Sequence, residues 1–89
     1  MEQNILGFTK TTDIMLALYY NNLDTRRNFS SAIAKRTKMT YSHAVKLIYR
    51  IRDLNLVTIT KEGRIKKIHL TPKGKEIARK LAKMKELLK

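Results

Sequence analysis

The sequence predicts a mostly helical α+β domain, and three observations carry that expectation. Apolar residues recur at helical spacing in four stretches; between Leu56 and Leu70 the period changes to two; and Lys61-Glu62-Gly63-Arg64 divides that stretch into the arms of a hairpin. The 89 residues suffice for one core and not for two. A domain of this size buries roughly 60 to 70 per cent of the surface its unfolded chain exposes, so a second copy covering a remaining apolar face is also expected.

Each element has its own signals. Thr11 or Thr12 is placed to cap a first helix reaching about Asn21, with Asp13 in the first turn and Ile14, Ala17 and Leu18 on one face. A short extended piece at Asn28-Phe29 follows, and Ser30 is placed to cap a second helix over about Ser31 to Thr37 that buries Ile33 and Ala34. Thr40 caps a third helix, Tyr41 to Leu54, whose stripe is Ala44, Leu47, Ile48, Ile51 and Leu54. Asn55, a residue that tolerates left-handed backbone, stands where a helix-ending glycine is common. In the hairpin, a turn at Glu62-Gly63 would set Val57 opposite Ile68 and Ile59 opposite Lys66, with Leu70 on the same inner side; a bulge at Gly63 would shift this register. Thr71 and Pro72 then open a last helix to about Leu88, roughly 25 Å long at 1.5 Å per residue.

Charge narrows the function. The chain carries 20 Lys and Arg against 7 Asp and Glu, net +13, and residues 26 to 89 hold 19 of the bases and 4 of the acids. A positive field over most of a small domain attracts a polyanion, and nucleic acid is the commonest inside a cell; a lysine-rich solvated surface is the plainer explanation of the same composition. The absence of cysteine excludes disulfides, thiolate zinc sites and a thiol nucleophile. The apolar-rich run Ile14 to Leu23 is too short to span a bilayer, and the start lacks the features of a signal peptide, so an intracellular, cytoplasmic protein without membrane association is expected. There is no glycine-rich phosphate loop, no paired carboxylate spacing and no nucleophile with a base beside it, so no enzymatic activity and no cofactor are expected. His43 and His69 fall far apart in the expected fold and do not suggest a metal site.

The order helix, short strand, helix, helix, hairpin, helix is that of a winged helix-turn-helix domain: a three-helix core, a β-hairpin wing and a C-terminal dimerisation helix. Ile33, Ala34, Met39, Ala44 and Leu47 fall at the offsets where two crossing helices and their turn need apolar or small residues. Ala34 is the most informative, since a close crossing leaves no room for a longer side chain. Lys38 occupies a turn position where many such turns have glycine. Residues 1-10 read as an N-terminal arm, 11-71 as the winged helix-turn-helix domain and 72-89 as the dimerisation helix.

From Phe29 to Lys80 the chain resembles winged-helix transcription regulators of the MarR-like and related archaeal type, above all in Ile51-Arg-Asp-Leu54-Asn-Leu-Val57 and Leu70-Thr-Pro-Lys-Gly-Lys-Glu-Ile77. It differs in Asn55, where glycine is usual, and in a shorter wing. The resemblance implies that the third helix enters the major groove of double-stranded DNA by its N-terminal half, through Thr40, Tyr41, Ser42, Val45, Lys46, Tyr49 and Arg50. Ser42 and Lys46 can bond base edges or phosphates, Arg50 can fork onto phosphate or guanine, and Val45 can meet a thymine methyl. Tyr41 and Tyr49 have two readings, packing on the sugar-phosphate backbone or lying half-buried as amphipathic rings.

Outside that helix, Lys61, Arg64, Lys66 and Lys67 crowd a narrow ribbon that a flanking minor groove or phosphate run could receive; a solvated hairpin tip is the simpler account. Lys35, Arg36 and Lys38 end the second helix, where cations also suit the helix dipole. Ile77, Leu81, Met84 and Leu88, spaced 4, 3 and 4, form a coiled-coil-like seam on the last helix. Two of them can serve the monomer core, which leaves the distal half for the same helix of a second molecule. Ile5, Leu6 and Phe8 are candidates to join that contact. The function expected is a sequence-specific, homodimeric DNA-binding regulator. Its rivals are a nucleoid-type architectural protein with little sequence preference and a winged-helix protein-interaction module. No effector ligand is specified by the sequence.

Overall fold

A computed structural model of the chain describes residues 9–21 and 28–88, so Ile5, Leu6 and Phe8 lie outside the described residues. The elements are α1 (Lys10–Tyr20), α2 (Ser30–Arg36), α3 (Tyr41–Asp53), β1 (Val57–Glu62), β2 (Ile65–Leu70) and α4 (Pro72–Leu87). This is the winged helix-turn-helix arrangement.

Helix starts follow what their neighbours allow. Thr40 and Thr71 cap α3 and α4 as expected, accepting from the N–H groups of His43 and Gly74. α1 begins at Lys10 rather than after Thr11 or Thr12. Extended Thr9 precedes it without a side-chain cap bond, and the Lys10 ammonium donates to the Thr37 carbonyl at 3.3 Å, tying this first turn to the end of α2. Ser30 is the first residue of α2 and not its cap. Phe29 must stay extended because it bridges Lys67, while the Asn28 carbonyl accepts from the Ile68 N–H at 2.8 Å. The chain therefore passes from strand to helix in one step.

Helices α2 and α3 end alike. Lys38 (φ 58°) and Asn55 (φ 64°) are both left-handed. Each sits just past its helix, where its own N–H returns to Lys35 or Arg52 and the next N–H, of Met39 or Leu56, returns to Ala34 or Ile51. These are two Schellman motifs, one closing each helix of the helix-turn-helix. The second ends α3 at Asp53, which leaves Leu54 exposed rather than on the core stripe; Leu56 takes the buried place instead.

The hairpin closes through Gly63-Arg64, with Gly63 at φ 63° in the first central position, as a type II′ turn requires. Val57 accordingly pairs with Leu70 and Ile59 with Ile68. The register is two residues from the one a Glu62-Gly63 turn gives. Because side-chain direction alternates with period two, the inner face is unchanged.

Ile14, Leu18, Ile33, Ile48, Ile51, Val57 and Ile68 fill the core. The C-terminal helix joins it: Ala78 and Ala82 are buried, and Ile77 and Leu81 pack half-buried against the same cluster. Lys85 and Asp13 add an ion pair at 3.8 Å between α4 and α1. Met84, Leu87 and Leu88 remain 41%, 78% and 53% exposed. Among the described residues no helix is long and apolar enough to cross a membrane.

Candidate nucleic-acid interface

α3 buries Ala44, Leu47, Ile48 and Ile51, and this fixes what it turns outward. Ser42, Lys46 and Arg50, four residues apart, form one exposed stripe, with Thr40 exposed at the helix start. Tyr41, Val45 and Tyr49, also four apart, form a second stripe in which Tyr41 is exposed and Val45 and Tyr49 are half-buried. The end of the second stripe meets the wing. Lys66 Nζ donates to the Tyr49 hydroxyl at 2.6 Å and lies 5.2 Å from the ring centre; Arg52, one turn along, places its guanidinium carbon 4.7 Å from that centre.

The hydrogen bond from Lys66, reinforced by the charges of Lys66, Arg52 and Lys61, holds the Tyr49 phenol below its ordinary pKa. Reciprocally, the bond to Tyr49 holds the Lys66 ammonium above its own. Lys61 stands opposite Lys66 in the register, and Arg64 is exposed in the turn. Lys67 is half-buried on the outer face, its backbone bridged to Phe29. At the end of α2, Lys35 and Lys38 are exposed, while Arg36 donates to the Asn21 side-chain oxygen at 2.7 Å.

The structure thus brings Tyr49, Lys61 and Lys66 together and leaves Ser42, Lys46 and Arg50 as a separate exposed row. Arg52 was not singled out by sequence reasoning, although its i, i+3 spacing from Tyr49 was the available signal. His69 meets Thr60 at 3.2 Å across the outer face of the hairpin, and no group of three or more His, Asp or Glu able to hold a metal occurs among the described residues.

No family model matches the sequence. An uncharacterized protein of Archaeoglobus fulgidus is 27% identical over 79 residues, covering 89% of this chain and 83% of its own length. The solved structure of AF1382 from the same organism superposes with a TM-score of 0.92 at 25% identity, over 100% of this chain and 98% of that one. MepR, a transcription regulator of the Staphylococcus aureus multidrug efflux pump MepA, superposes with a TM-score of 0.79 at 18% identity, over 90% of this chain. The chain spans 58% of MepR's length. MepR in complex with DNA gives the same TM-score at 19% identity, over 89% of this chain and 57% of that one. The fold is that of winged-helix transcription regulators.

Proposed function

We propose that the chain is a sequence-specific double-stranded DNA-binding protein that regulates transcription as a homodimer, with α3 in the major groove and the wing on the flanking backbone or minor groove. The observation that carries this reading is the exposed row Ser42, Lys46 and Arg50 on the second helix of a helix-turn-helix, beside a wing that adds Lys61 and Arg64. A short hydroxyl, an ammonium and a guanidinium one turn apart suit base edges and phosphates. Thr40, Tyr41 and Val45 border that row; Lys35 and Lys38 add exposed charge at the end of α2, while Arg36, bonded to Asn21, and Lys67, on the outer face of the hairpin, contribute to the field from farther off. The likeness to the DNA-bound MepR fold supports the same reading.

The dimer contact is assigned to the seam Ile77, Leu81, Met84 and Leu88. Ile77 and Leu81 keep a solvent-facing side, and Met84, Leu87 and Leu88 leave the last turns of α4 apolar and uncovered. Replacing the exposed pair, Met84→Glu with Leu88→Glu, is expected to convert dimer to monomer in sedimentation while the core stays folded. A wild type that sediments as a monomer removes this seam.

Duplex binding is tested by polarisation titrations at several salt concentrations. If 6 to 10 phosphates are neutralised, log affinity falls against log salt with a slope of roughly −5 to −9. A selected sequence binding much tighter than random duplex supports a regulator. Equal affinity for both favours the architectural reading, and a flat salt response excludes DNA as the partner.

A further inference from the structure

The wing is held to the body unevenly. Near its base, Val57 and Ile68 are buried and Ile59 and Leu70 pack against the core. Past the Ile59–Ile68 pair come Thr60 opposite Lys67, where the bridge to Phe29 is the last backbone attachment among the described residues, then Lys61 opposite Lys66, Glu62 opposite Ile65 and the turn, and none of these residues is buried. An isolated two-stranded ribbon is marginal in water, and like charges facing each other across strands weaken it further. Arg52 brings a third cation to the same place, and neither Lys61 nor Lys66 makes an ion pair among the described residues.

What lies among the three cations is Tyr49. Its oxygen accepts from Lys66 at 2.6 Å, and its ring receives Arg52 and Lys66 at 4.7 and 5.2 Å from the centre. Arg52 is itself steadied by Asp53, to which its Nε and Nη2 donate at 3.3 and 3.2 Å.

We infer that Tyr49 is a positioning residue: its hydroxyl holds Lys66, and with it the outer half of the wing, against α3, so that Lys61 and Arg64 are presented at a fixed offset from Ser42, Lys46 and Arg50. Lys66 then serves alignment and is not a phosphate contact of its own. The part of this inference that concerns DNA rests on the function proposed above; the anchoring of the wing does not.

Two measurements separate these parts. In the free protein, amide hydrogen exchange over Lys61 to Lys67 is expected to speed up in Tyr49→Phe, which keeps the ring and removes the acceptor, while the amides of Ile33 and Ile51 exchange as before. Unchanged exchange at the tip overturns the inference. On duplex DNA, Tyr49→Phe and Lys66→Met are each expected to weaken binding roughly 3- to 10-fold, as loss of one ordinary, solvent-accessible hydrogen bond would. Neither should alter the salt slope, and the double variant should bind no worse than about 2-fold below either single one. Lys66→Arg, which keeps a donor, should retain most of the affinity. A salt slope reduced by about 1 in Lys66→Met, with Tyr49→Phe binding like wild type, overturns it in favour of a direct phosphate contact. Faster tip exchange in a protein that binds no duplex supports the anchor and defeats the DNA-binding function instead.

Discussion

Gly74, in the first turn of α4, lies directly against the backbone of Leu56: a Cβ at residue 74 would overlap the Leu56 carbonyl. That carbonyl already accepts from the Thr71 N–H at 3.0 Å, and the Thr71 hydroxyl donates to the Asn55 carbonyl at 2.6 Å. The start of α4 is thus bonded to the chain leaving α3, with no slack for a methyl group. Although alanine is the better helix former by about 1 kcal/mol, Gly74→Ala is expected to destabilise the domain by about 3 kcal/mol. Urea denaturation checks this; a variant as stable as wild type would show that the junction relaxes freely.

The two left-handed residues give a second expectation. A side chain in this conformation costs roughly 1 kcal/mol relative to glycine. Lys38→Gly should therefore gain up to about 1 kcal/mol in stability while losing one cation from the end of α2. Because stability and charge move in opposite senses, a variant that melts higher and binds duplex more weakly assigns Lys38 to the electrostatic field. Asn55→Ala should lose about 1 kcal/mol, since asparagine tolerates this backbone better than alanine does.

Lys46→Ala and Arg50→Ala are each expected to weaken duplex binding by about 1 to 3 kcal/mol if they meet bases or phosphates directly. Lys83→Ala, on the exposed face of α4, should cost much less. Equal losses for all three in a polarisation assay would mean that the charge acts only as a diffuse field.

An acid-dependent contribution comes from α4. Glu76 accepts from Arg79 at 2.6 Å with Lys80 at 3.8 Å, and the bond from Arg79 holds its carboxyl below the ordinary value. A carboxyl lowered in the folded state adds stability above its unfolded pKa and loses it as pH falls through the folded one. Glu76→Gln should therefore be slightly less stable than wild type at pH 7 and equal to it near pH 2. Both side chains are exposed, so the effect is small. A difference that persists in acid would assign it to packing.

Most of the fold was legible because strong local signals agreed with tertiary demands. Thr40, Thr71 and Asn55 do what their chemistry suggests, and the small residue at Ala34 marks the helix crossing. The departures arose where a long-range contact outweighed a local preference. Ser30 has the chemistry of a cap, but pairing of Phe29 with Lys67 moves the helix start. A type I′ turn at Glu62-Gly63 would force Glu62 as well as Gly63 to positive φ, whereas a type II′ turn at Gly63-Arg64 asks this of the glycine alone, so the turn slides by one residue. On α3, the spacing of the apolar stripe left Ser42, Lys46 and Arg50 on other faces, and the family resemblance supplied their expected part in DNA contact. The Tyr49–Lys66 bond was hidden because it depends on how closely the ribbon approaches α3, which no periodicity encodes.

The one-residue bridge at Phe29 has a bearing on solubility at high concentration. It occupies part of the outer edge of β2, whereas the outer edge of β1 pairs with no strand among the described residues. A bare β edge is a template for strand addition between molecules. Here β1 is six residues long, ends in Lys61 and Glu62, and has a lysine opposite it on the inner face near the tip. Two such ribbons approaching side by side would bring four ammonium groups together. That repulsion opposes edge-to-edge pairing of two copies through β1.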